Sequence, residues 1–136
     1  MSYDEQRKAA EAAASPEHQN LVRALVDYLN KNGWKVTHAA GISGYPAPWQ
    51  VDKYMPDVIA QSTDGVYAFG EAETCDTIMT EHTAAQIEEF STRTMKNDGA
   101  TIPCYVVVPK ICFGRLEELL RTKFPNRGNI KPLHYS

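Results

Sequence analysis

The chain contains no uninterrupted apolar run near the roughly 20 residues that a membrane-spanning helix requires. Its first residues, Met1-Ser2-Tyr3-Asp4-Glu5-Gln6-Arg7-Lys8, lack the apolar stretch of a secretory signal. Together these absences predict a cytoplasmic protein with no membrane partner. Cysteine is scarce as well. Cys75, Cys104 and Cys112 are odd in number and show no CxxC spacing, which argues against a disulfide framework or a zinc knuckle. All three are read as reduced filler residues, Cys104 being buried within an apolar run. With 136 residues and 15.2 kDa the chain is long enough for one core. Residues 1–14 are expected to form an arm or frayed helix, and 15–136 a single domain.

Basic residues are also scarce over most of the length. Residues 1–90 hold six Lys/Arg against fourteen Asp/Glu, a net −8, whereas residues 91–136 hold eight against three, a net +5. An acidic portion suits a cation and a basic portion suits phosphates, although a mixed surface accounts for the same asymmetry.

Ser15-Pro16 reads as an N-cap with proline at the first helical position, and Leu21, Val22, Leu25, Val26 and Leu29 form an apolar stripe that stops at Lys31-Asn32-Gly33. Glu17, four residues before Leu21, is expected to share the buried face; first-turn macrodipole compensation is its other reading. A short strand over 34–38 leads into a Gly- and Pro-rich loop from Ala39 to Lys53. Long loops of this kind tend to be functional, and Tyr45 and Trp49 in it suit base stacking, a second subunit or the core edge. Beyond two further strands come a helix over 81–96, a buried strand over 100–108, a helix over about 113–124, and a basic tail adding at most a short strand. The order α-β-β-β-α-β-α predicts an α/β fold, a small mixed sheet flanked by helices. His18 and His82 are read as surface residues on helices, and His38 and His134 give no usable spacing.

The acids within the central hairpin stand out. Met55-Pro56-Asp57-Val58-Ile59-Ala60 is followed by Ser62-Thr63-Asp64-Gly65 and then Val66 to Thr74, with Glu71-Ala72-Glu73 where apolar residues are expected. Glu71 and Glu73 are two apart and so face the same side of a strand. A three-residue loop with Gly65 left-handed pairs 62 with 66 and sets Asp57 opposite Glu71; a two-residue loop sets Asp57 opposite Ala72 and scatters the acids. The plain alternative is the solvated face of an edge hairpin. Carboxylates without His or Cys suit Mg²⁺ or Mn²⁺ rather than zinc, and such a cation activates water and polarises a phosphoryl oxygen.

These residues carry a resemblance. The chain resembles the PD-(D/E)xK nuclease superfamily, the restriction-endonuclease-like fold with its α-β-β-β-α-β core. Pro56-Asp57 matches the PD element and Glu71-Ala72-Glu73 the (D/E)xK position. Glu17 falls where many members place a helix-borne acid, and Gln86 and Phe90 loosely match a QxxxY element. Within the superfamily the likeness is nearest to archaeal Holliday-junction resolvases, through Glu17, Gly33-Trp34, Ser43-Gly44 and Pro56-Asp57-Val58-Ile59-Ala60, over about residues 15–110. The family lysine is replaced by Glu73, and some restriction endonucleases are similar in carrying E-x-E.

The resemblance implies a Mg²⁺- or Mn²⁺-dependent endonuclease acting on linear or branched DNA as a homodimer. Asp57 and Glu71 would be the main metal ligands and Glu17 an outer or second-site ligand. Glu73 would position or deprotonate water. Lys53 is a candidate to stand in for the missing lysine, while Ser43 and Gln86 would touch substrate. The competing expectation is an inactive nuclease-fold module for DNA binding or protein assembly, which the missing lysine favours. A generic α/β interaction domain is the third.

Overall fold

The structure, a computed structural model, describes residues 15–136 apart from Asn97. The expectation for residues 1–14 lies outside them. Helix α1, Pro16–Lys31, starts as its sequence demands: the Ser15 hydroxyl accepts the His18 N–H at 3.1 Å and proline occupies the first turn. It ends where Gly33 takes φ +89°. Strand β1, Lys35–Ala39, follows, and the long loop then leads to β2, Val58–Gln61.

A tight turn joins β2 to β3, Tyr67–Ala72. The Ser62 N–H donates to the Val66 carbonyl at 2.8 Å and Gly65 sits at φ +83°, so the connection is the three-residue loop with left-handed glycine. Val58 pairs with Gly70 and Ile59 with Phe69, the register that this loop dictates.

Helix α2 spans Glu81–Ser91 and stops short of the expected Lys96. Thr94 and Thr101 instead form a β-bridge, and the Ile102 N–H donates to the Arg93 carbonyl at 2.9 Å. The chain doubles back there, so β4 begins at Cys104 rather than Ala100 and runs to Pro109. A single 3₁₀ turn, Lys110–Cys112, leads into α3, Phe113–Lys123. The tail forms β5, Ile130–Tyr135, paired with β4 along all six residues. It is a full edge strand, more than the sequence suggested.

The result is an α/β protein with three α-helices among the described residues and an open five-stranded mixed sheet in the order β1-β2-β3-β4-β5. The first two pairings are antiparallel, β3/β4 and β4/β5 parallel. Two successive parallel crossovers stepping the same way across the sheet put α2 and α3 on one face, as crossovers of one hand do. There they bury Ile59, Phe69, Cys104, Val106 and Val108. Helix α1 covers the other face, against Val36, Val58, Ala60, Ala72 and Val107. Gly70 lies where α1 comes nearest, since a Cβ there would stand 2.7 Å from Leu25 Cδ2.

One expectation about cysteine is overturned. Cys75 and Cys112 form a disulfide with a Cα–Cα distance of 5.7 Å. Parallel pairing sets Ala72 beside Val107, so the chain just beyond β3 emerges next to the chain just beyond β4. Residues 37 apart in sequence thereby become neighbours. Cys104 alone remains free and is buried, as expected.

Candidate functional site

The β2–β3 ladder ends at Val58 and Gly70, and Asp57 and Glu71 stand one step beyond it. There side chains continue what the backbone leaves off. The Asp57 N–H donates to Glu71 Oε1 at 3.1 Å, and Asp57 Oδ2 accepts the Ala72 N–H at 2.9 Å. The Asp57 carbonyl takes the Ala40 N–H at 2.8 Å, which ties the long loop to the same point. Glu73 follows on the same side of β3 as Glu71, its N–H bonded to the Val107 carbonyl at 3.0 Å.

A threonine-rich turn fixes the Glu73 side chain. The Thr77 hydroxyl donates to Glu73 Oε2 at 2.7 Å and accepts the Thr74 N–H at 3.1 Å. The Thr83 hydroxyl in turn donates to the Thr77 carbonyl at 2.7 Å, and Thr80 caps α2. Glu73 is therefore anchored to the start of α2.

Glu71 and Glu73 are only 2% and 6% exposed, and burial without full compensation penalises a charged carboxylate. Burial, then repulsion by Asp57 and Glu73, hold the Glu71 carboxyl well above the usual carboxylate range; the Asp57 N–H only partly offsets this. Burial also pushes Glu73 up to about 7, against the opposing bonds from Thr77 and Thr83 and the nearby His18. Three carboxylates packed this way need a proton or a cation among them. The Cys104 thiol is driven far above its ordinary range by burial and by Glu71, which makes it inert.

The structure brings Asp57, Glu71 and Glu73 together as the odd loop requires. It does not bury Glu17. That residue is exposed on the first turn of α1, and its neighbour His18, 6% exposed, faces inward. His18 Nε2 lies 3.2 Å from Asp57 Oδ2. The reading of His18 as a surface residue is thus corrected. The signal was available: His18 is four residues before Val22 and seven before Leu25, on the middle of the apolar stripe, whereas Glu17 flanks it. His82 is half-buried, with its ring 5.7 Å from that of Tyr54. Lys53 is exposed on the turn bridged by Val51 and Tyr54, Ser43 is exposed in the long loop, and Gln86 is half-buried on α2.

In chemical terms the carboxylate oxygens of the cluster are hard donors suited to Mg²⁺ or Mn²⁺, while the His18 imidazole beside Asp57 adds a ligand type that also suits zinc. In the present rotamers no three His, Cys, Asp or Glu side chains among the described residues are grouped as a metal centre. Among those residues no helix is long and apolar enough to cross a membrane. No protein-family model, curated protein or solved structure matches the chain.

Proposed function

We propose that this protein is a Mg²⁺- or Mn²⁺-dependent endonuclease of the restriction-endonuclease-like kind, hydrolysing phosphodiester bonds in linear or branched DNA. The observation that carries the reading is the reciprocal bonding of Asp57 and Glu71 at the end of the β2–β3 ladder, with buried Glu73 beside them. The order α-β-β-β-α-β within the observed fold supports it.

Asp57 and Glu71 would hold the cation, which would replace the proton that burial and mutual repulsion keep on the cluster. A divalent cation bound there supplies charge neutralisation and polarises a phosphoryl oxygen. Glu73, in place of the motif lysine, takes the proton of the attacking water; a proton affinity near neutrality suits that role. His18 holds Asp57 from the α1 side, where the sequence had offered Glu17 as an outer or second-site metal ligand. DNA, a homodimeric assembly and a cytoplasmic setting belong to the same proposal.

The second reading is an inactive module of this fold that binds DNA or assembles with protein. What favours it is the glutamate at 73, since no cation side chain stands at the motif position. Cleavage of linear, flapped, single-stranded and four-way-junction DNA in Mg²⁺ or Mn²⁺, with Asp57→Ala alongside, tests the choice. Activity that disappears in the variant supports the nuclease. Folded wild-type protein that cleaves none of these substrates overturns it in favour of the binding module.

A further inference from the structure

The Cys75–Cys112 disulfide spans the segment that orients Glu73. Cys75 lies two residues beyond Glu73 and two before Thr77, whose hydroxyl holds the Glu73 carboxyl. Cys112 is the last residue of the 3₁₀ turn, immediately before α3. From the first turn of α3, Arg115 Nη1 donates to the Cys75 carbonyl at 3.1 Å, so one crosslink and one hydrogen bond fasten the same loop to the same helix. The rest of the loop is held by short local bonds, among them Ile78 N–H to the Thr74 carbonyl at 3.1 Å and Thr80 N–H to the Thr77 carbonyl at 3.1 Å.

The two sulfurs differ in access. Cys112 is 2% exposed, whereas Cys75 is half-buried. Disulfides in a cytoplasmic setting tend to be transient rather than structural.

We propose that this disulfide is a reversible redox clamp, opened by a low-molecular-weight thiol of the glutathione class, which loosens the Glu73–Thr80 segment. The thiolate attacks Cys75 Sγ, forms a mixed disulfide and releases the Cys112 thiolate, which takes up a proton. A second thiolate attacks the incoming group's own sulfur, releasing the Cys75 thiolate to take up a proton and leaving the oxidised small-molecule disulfide. Two electrons and two protons pass to the protein. Reversible reduction rests on the cytoplasmic setting proposed above, and the regulatory meaning, control of a metal-dependent site through Glu73, on the function proposed there; the crosslink itself rests on neither.

The test uses the full chain in glutathione buffers of stepped redox ratio, without denaturant. Thiols are labelled and counted by mass, and amide hydrogen exchange is followed over 73–80 and over 130–135. Buried Cys104 serves as an internal reporter, since its labelling marks global unfolding. The expected result is labelling of Cys75 and Cys112 without Cys104, with exchange over 73–80 accelerated on the order of tenfold more than over 130–135, which responds only to the loss of global stability. Cys75→Ser should show the fast exchange under oxidising conditions; the wild-type titration needs no variant to fold. Absence of the disulfide under oxidising conditions, opening only together with Cys104, or equal change in both segments overturns the clamp. Mn²⁺ binding is measured on both forms in parallel. Binding to neither removes the metal reading and leaves the clamp to be judged by exchange.

Discussion

Asp57 and Glu71 hold each other's strands. The Asp57 N–H donates to the Glu71 carboxyl at 3.1 Å, while the Asp57 carboxyl takes the N–H of Ala72 at 2.9 Å. The two acids therefore extend an antiparallel ladder beyond its last backbone pair. This makes them structural and places their charge together, which sets up two kinds of measurement, one on chemistry and one on stability.

Asp57→Ala should lower Mn²⁺ affinity and DNA cleavage by about 100-fold or more, since even outer-shell partners of a metal contribute 10–100-fold. Asp57→Asn keeps an oxygen for the Ala72 N–H and removes the charge. Equal cleavage by the Asn variant and the wild type would show that the Asp57 carboxylate is not a ligand.

Stability should depend on pH in an uncommon direction. A glutamate in the unfolded chain releases its proton near 4.5 and Glu73 in the fold near 7, so between those values the folded state carries the extra proton. Stability is then greatest on the acid side of the window and declines as pH rises through it. Glu73 alone accounts for a decline of about 3 kcal/mol from that shift. Glu71 acts in the same sense. Urea unfolding across about pH 5 to 8 should show the decline, and Glu73→Gln should remove the share that Glu73 contributes and leave that of Glu71. A wild-type curve that rises over this window would contradict the burial argument.

Gly70→Ala should destabilise by about 1–3 kcal/mol through overpacking. The new Cβ meets Leu25 Cδ2 at 2.7 Å and Val58 Cβ at 3.1 Å. Leu25 is fully buried, so its side chain has little room to yield. In a double-mutant cycle Leu25→Ala should reduce the cost of Gly70→Ala, a coupling expected of residues in contact. Independent, additive effects would place the strain elsewhere.

Removing the crosslink should cost stability as well. Closing a loop of sequence separation 37 restricts the unfolded chain by about 3–4 kcal/mol on the entropic account. Cys75→Ser and Cys112→Ser should each shift the denaturation midpoint by a corresponding amount under oxidising conditions, and the double variant by no more than either single one. A double variant much worse than both would mean that the cysteines contribute by packing instead.

The local parts of this architecture are readable from residues close together in the chain. Ser62-Thr63-Asp64-Gly65 carries its own turn chemistry, and because antiparallel register follows from the turn, Asp57 and Glu71 could be set opposite each other without tertiary information. The apolar stripe of α1 was equally plain, and its phase pointed to His18 more directly than to Glu17. The disulfide was not legible in the same way. Cys75 and Cys112 have no informative spacing, and they meet only because parallel strands bring their ends to one edge of the sheet. The end of α2 was missed for a related reason. Nothing in the sequence from Thr92 to Lys96 forbids helix strongly, and the bridge between Thr94 and Thr101 competes for the same backbone groups. The length of β5 was less plain because Pro132 and the adjoining Lys131 weaken a strand pattern, although an edge strand tolerates both.

The position of β4 between β3 and β5 also has a consequence for the growing chain. Asp57, Glu71 and Glu73 are synthesised before Val107, whose carbonyl takes the Glu73 N–H, and before Cys112, which closes the crosslink. Until β4 arrives, β3 is an open edge, the kind of surface that pairs with other nascent chains. Acidic side chains on a hydrated edge repel such partners. The same carboxylates that burial later makes costly can therefore act as gatekeepers during biosynthesis, giving up that duty when the sheet is completed around them.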